Sequence, residues 1–201
     1  MKEIKCSQQS NVSVPGTSID SNDQYIRRDN LIMSGINLPT ASLSENSKLI
    51  IQDQLRLHTN LNVNVNDISI AHRIGRKPVS GPDKRNIIFK LCRRDIVPDI
   101  FRACKEHKPP FFVNSSLTPL RSKIFFALRQ LKRVFPNIIK SCQSNLNGDI
   151  IAYTLVPGQL NSTSTSTRQN YRKHVINAKT ELEKFAQDFL HSTIENLSVD
   201  W

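Results

Sequence analysis

The chain has 201 residues, 38% of them hydrophobic, and its 28 Lys and Arg outnumber 17 Asp and Glu for a formal net charge of +11. That length admits one large domain or two small ones around a moderate core. With no apolar run of transmembrane length and no secretory leader, the sequence predicts a soluble intracellular protein, cytoplasmic or nuclear, not secreted and without a membrane partner.

The charge is unevenly placed. Between Tyr25 and Lys140 there are 21 basic and 8 acidic residues, whereas Val175–Trp201 holds 2 basic and 5 acidic ones. A basic middle of this kind suits a polyanion. Cys6, Cys92, Cys104 and Cys142 are far apart and form no CxxC pair, so free thiols in a reducing compartment are expected.

Residues 1–24 are rich in Ser, Asn, Gln and Asp and read as disordered. Asn30–Ile36 (NLIMSGI) is a short apolar run, predicted as a buried strand. Ser42 and Glu45 form an S-x-x-E capping box before a helix carrying Leu43, Ile50, Ile51 and Leu55 on one side. Ile68–Ile74 alternates as a strand, residues 75–85 form a basic Gly/Pro loop, and Asn86–Cys92 is a third strand with Ile87, Phe89 and Leu91 on one face. Asp95–His107 is predicted as a helix and Phe111–Asn114 as a fourth strand. Strand–helix–strand–strand–helix–strand is the split βαβ, ferredoxin-like order.

A second unit follows. Thr118 caps a helix with Pro119 at its first position, and Leu120, Ile124, Leu128, Leu131 and Phe135 make its apolar stripe. Asn147-Gly148 between apolar runs predicts a type I′ hairpin over Ile138–Tyr153. Residues 159–170 are a low-complexity loop, and Val175-Ile176 returns as a strand. Thr180 and Glu183 form a second capping box before a helix whose inner face is Leu182, Phe185, Phe189 and Thr193.

The expected fold is therefore α+β. A disordered segment (1–24) precedes a ferredoxin-like, RNA-recognition-like βαββαβ domain (25–114). A helix–hairpin–helix lobe (115–194) and a tail (195–201) follow.

That first architecture belongs to modules that stack single-stranded bases on aromatic residues of the two central strands. Here Ile32 takes one such position and Phe89 falls with the core set, so charge and shape rather than base readout are expected to dominate. The candidate phosphate contacts are Arg27 and Arg28 before the first strand; Arg73, Arg76, Lys77, Lys84 and Arg85 around the loop; and Arg93 and Arg94 after the third strand. Strand ends converge at sheet edges, so these groups are expected to form one rim. On the later helix Arg121, Arg129, Lys132 and Arg133 fall on one arc beside the apolar stripe. Phe125 and Phe126 lie off that stripe, placed either to stack bases or to pack between the units.

No GxxxxGK[ST], HExxH or GxSxG motif occurs, and Cys104 and His107 lack a second ligand pair. No catalytic residue, metal or cofactor is expected, and His72 reads as a strand residue or a phosphate contact.

Three stretches, RRDNLIMSGI (27–36), ISIAHRIGRK (68–77) and RNIIFKLCRRD (85–95), together resemble the RNA-recognition-like domain of first-open-reading-frame proteins of LINE-type non-LTR retrotransposons. They also resemble the baculovirus few-polyhedra (FP) protein and its transposon-derived relatives. The SSLTPLRSKIF helix, the NGDI hairpin and VINAKTELEKF resemble the smaller C-terminal domain of those proteins. The resemblance implies binding of single-stranded RNA, or DNA, within a ribonucleoprotein particle, with chaperone behaviour. It gives Arg27, Arg28, Arg73, Arg76 and Arg121 a nucleic-acid role. The coiled coil usual in such relatives is absent from this sequence, so trimeric assembly is not expected. The alternative from another class is an FP-like scaffold protein that self-associates or binds a protein partner through its C-terminal lobe.

Overall fold

The computed structural model describes residues 15–36, 45–79, 82–155 and 171–190. Two antiparallel sheets, of four and three strands, and five helices make an α+β protein with two hydrophobic clusters. The predicted loop at 159–170 and the tail at 195–201 lie outside the described residues, as do Cys6, Ser42 and Thr193.

Pro15–Arg27 is a helix, α1. This corrects the expectation of disorder across residues 1–24 over residues 15–24, the part of that segment that is described. The helix is polar, and what fixes it is tertiary hydrogen bonding. Gln24 is 1% exposed; its Nε2 donates to Ser116 O, and its Oε1 accepts from Thr118 N. Asp20 accepts from Thr118 Oγ1 and from Arg121 Nε.

The first sheet contains β1 (Asn30–Ser34), β2 (Ile68–Arg73), β3 (Ile87–Leu91) and β4 (Phe112–Ser115), in the spatial order β2-β3-β1-β4. Helices α2 (Ser47–Thr59) and α3 (Ile96–His107) intervene after β1 and β3. Leu31, Met33, Ile87 and Phe89 pack with Ile51 and Leu55 of α2 and Val97 and Ile100 of α3. Period-2 alternation turns Asn30, Ile32, Ile88, Lys90 and Asn114 to the other face.

The helix starts differ from the capping expectations. Asn46 caps α2 by accepting from Lys48 N, the expected cap Ser42 lying outside the described residues, and Glu45 pairs with Arg73.

The second cluster joins α4 (Pro119–Val134), β5 (Ile139–Ser144), β6 (Ile150–Leu155), β7 (Tyr171–Val175) and α5 (Lys179–Leu190). Thr118 caps α4 as the sequence predicts. At α5 the Glu181 carboxylate, not Glu183, accepts from Asn177 N and Ala178 N. The β5–β6 connection is not type I′, which needs positive φ at both central residues. Only Gly148 is left-handed there (φ +79°), and Asn145 holds the loop by accepting from Asn147 N and Asp149 N.

Candidate nucleic-acid interface

Strand register separates the basic residues expected to share one rim. Asn30 faces Lys90, while Met33 and Arg73 both face Ile87. Arg27, Arg28, Arg93 and Arg94 therefore belong to one end of the sheet, and Arg76, Lys77, Lys84 and Arg85 to the other. At about 3.3 Å per residue the length of β3 holds the two ends roughly 13 Å apart. The single rim is corrected to two separate groups.

Three of the candidate cations are counter-ions to carboxylates of the fold, two of them buried and Arg85 partly exposed. Arg73 is the first: its side chain is 4% exposed, with Nε 2.7 Å from Glu45 and Nη1 donating to Arg85 O. The cause is a β-bulge between Ile68 and Ile70 that shifts the alternation, turning Ile70 and His72 outward and Arg73 inward beside Ile87. Asp83 is fully buried between Arg73 and Arg85. Hydrogen bonds from the Arg85 side chain hold the Asp83 carboxyl down at about 2, against the opposing effect of burial, and the Arg73 charge adds to the lowering.

Arg121 is the third. It is 4% exposed, paired through Nε with Asp20 at 2.8 Å and through Nη1 with Asp149 at 3.1 Å. Asp149 also accepts from Asn145 and Asn177. Position along the helix explains the misplacement: Arg121 shares a stripe with Lys132 but sits in the first turn of α4, about 16 Å along the axis from it, where Asp20 and Asp149 reach it. The phosphate role expected for Arg73 and Arg121 is corrected to a structural one, and Arg85 is tied to Asp83 with its side chain 20% exposed.

Of the rest, Arg93 pairs with Asp95 on the open surface and Arg28 stacks over Tyr25 at 3.7 Å. Arg94 donates to Asn147, and Arg28 and Arg94 line a cleft of about 390 Å³ beside Arg121 and Asp149. Arg76, Lys77 and Lys84 are exposed.

The remaining group converges on a second cleft, one with no described carboxylate in its lining. Arg129, Lys132 and Arg133 of α4 line a cleft of about 540 Å³ between the two hydrophobic clusters. Phe125 and Cys142–Ser144 complete its second-lobe wall, and Phe101 of α3 and Asn114 of β4 its first-lobe wall. Phe101 and Phe125 are each half-buried, anchored in their own core while bordering the cleft. The Arg129 guanidinium sits 5.7 Å from the Phe125 ring centre. Burial pushes the Cys142 thiol up, while the nearby Lys132 and Arg129 charges pull it the other way. No described carboxylate pairs with Arg129, Lys132 or Arg133, and none lines the cleft.

Such a site offers phosphates uncompensated positive charge, bases two aromatic walls, and base edges the amides of Asn114 and Gln143. Sequence reading missed Phe101, Asn114 and Gln143, which reach the cleft only through the packing of α3, β4 and β5 against α4. Phe126 does not line the cleft and is 51% exposed. Among the described residues no group of three or more His, Cys, Asp or Glu could hold a metal, and no helix is long and apolar enough to cross a membrane. No protein-family model and no curated protein matches the chain.

Proposed function

We propose that this chain is a non-catalytic, sequence-tolerant binder of single-stranded nucleic acid, RNA in preference to DNA, that works mainly through phosphate contacts. Its first lobe is read as ferredoxin-like and RNA-recognition-like. The order βαββαβ with the sheet arranged β2-β3-β1-β4 supports that reading. The observation that carries the function is the inter-lobe cleft, where Arg129, Lys132 and Arg133 meet two aromatic walls with no carboxylate among the described lining residues. The central strands of the first sheet present Ile32 and Ile88 on their open face, which favours the cleft over that face as the binding surface. The resemblance of residues 27–36, 68–77 and 85–95 to retroelement proteins supports a ribonucleoprotein or chaperone role.

The test is a fluorescence-anisotropy titration with single-stranded RNA, single-stranded DNA and duplex DNA at several salt concentrations. Each cation bound to a single strand contributes about 0.7 to the slope of log affinity against log salt. Replacing Arg129, Lys132 and Arg133 together by Gln is expected to reduce that slope by about 2. An unchanged slope in the triple variant, or no binding at low salt, overturns the reading in favour of a protein-binding scaffold.

A further inference from the structure

The inter-lobe cleft does not end at Phe101 and Asn114. Both residues also line a second groove, about 360 Å³, between the C-terminal half of α3 and β4. Among the described residues its charged lining consists of Lys105 and Lys108, again with no carboxylate. Phe112, on the edge strand β4, borders the same groove and is 69% exposed, whereas its neighbour Phe111 is 3% exposed and belongs to the core. Lys108 occupies the left-handed C-cap of α3 (φ 48°, ψ 58°), a position that favours Gly or Asn over a side chain of this kind.

Resting on the proposed function of the cleft, we propose that a single strand leaving the cleft continues along this groove. One base stacks on Phe112, and Lys105 and Lys108 hold the flanking phosphates. The occupant is nucleic acid because the groove is continuous with the cationic cleft through two shared residues, carries only positive charge, and offers an aromatic face to bases of any identity.

The experiment compares oligouridylates of about 5 and about 15 nucleotides, lengths within the range one small module covers, on the full chain. The variants are Phe112→Ala, Phe112→Tyr and Lys105→Gln/Lys108→Asn. Asn tolerates the left-handed cap, so the double variant removes charge while keeping the backbone. Phe112 is exposed, so its removal spares the core. Phe112→Ala and the lysine variant are expected to weaken the long strand about tenfold and leave the short one within about twofold, with Phe112→Tyr like the parent. If both groove variants bind the long strand like the parent while the Arg129/Lys132/Arg133 variant does not, the track ends at Phe101 and this inference falls alone. If that triple variant also binds normally, the cleft reading fails and takes the groove with it. Oligoglutamate binding with the same dependence on Phe112 would overturn base stacking in favour of an acidic peptide.

Discussion

Arg121→Met is the sharpest test of the division between structural and available cations. The Arg121 side chain is 5% exposed and bridges Asp20 of α1 to Asp149 of the β5–β6 loop. Removing it leaves two carboxylates facing each other without a counter-charge. Breaking a buried ion pair by deleting one partner costs about 3–5 kcal/mol. The lower end applies here, because the Asp149 side chain is 30% exposed and keeps Asn145 and Asn177, and Asp20 keeps Thr118. About 3 kcal/mol corresponds to a melting point lower by roughly 6–12 °C in a chain of this size. Circular dichroism melts and urea unfolding would read it. The double variant Asp20→Asn/Arg121→Met should lose less than the sum of its parts, with a coupling of about 1–3 kcal/mol. Below its transition the folded Arg121→Met protein should keep the parental salt slope of nucleic-acid binding. An unchanged melting point together with a salt slope reduced by about 0.7 would refute the structural assignment and restore Arg121 to the phosphate surface.

Asp83→Asn should lower stability by about 3 kcal/mol by urea unfolding, since it strips Arg73, itself 4% exposed, of one of its two carboxylates. The Asp83 carboxyl is held near 2 in the folded chain against an ordinary 3.8. Its stabilisation is therefore fully present above the ordinary value and is lost as the pH falls through about 2; Asp83→Asn should flatten the urea midpoint's pH dependence in that window. Gly148→Ala should cost about 2 kcal/mol by thermal melting, because φ is +79° and an added Cβ would lie 2.2 Å from Gln24 Nε2, which is tied to Ser116. Glu181→Ala should cost about 1 kcal/mol through lost capping of α5, whereas Glu183→Ala should be nearly silent in the same melts.

Hydrophobic period carried most of the elements. The alternation at Ile87, Phe89 and Leu91 and the stripe at Ile124, Leu128 and Leu131 read directly as buried faces because side-chain direction follows from backbone geometry alone. Two features defeated that logic. The bulge in β2 adds a residue without changing composition, so ISIAHR gives no local sign that Arg73 turns inward. Helix α1 has few apolar residues to set a period, and its order comes from Gln24 and Asp20 bonding to groups 92 to 101 positions away. The cleft was half legible for the same reason. Its α4 side follows from helical spacing, while Phe101 and Asn114 arrive through long-range packing.

Net charge located the basic region without singling out the proposed interface, and the difference lies in where each cation finds its acid. In α2 Arg56 meets Asp53, and in α3 Arg102 meets Asp99, each one helical turn away. Such pairs are solvated and neutralise their own helix face. Helix α4, PLRSKIFFALRQLKRV, contains no acidic residue at all. Its cations can be neutralised only from elsewhere in the fold or from a ligand. For Arg121 the fold supplies the acid, from Asp20 and Asp149. For Arg129, Lys132 and Arg133 the described residues supply none, and the cleft they line is the place where a polyanion would complete the charge balance. An acid-free basic helix is thus a stronger sequence signal than a count of Lys and Arg. Under the proposed function, the faces of α4 that the described residues do not neutralise are the binding surface.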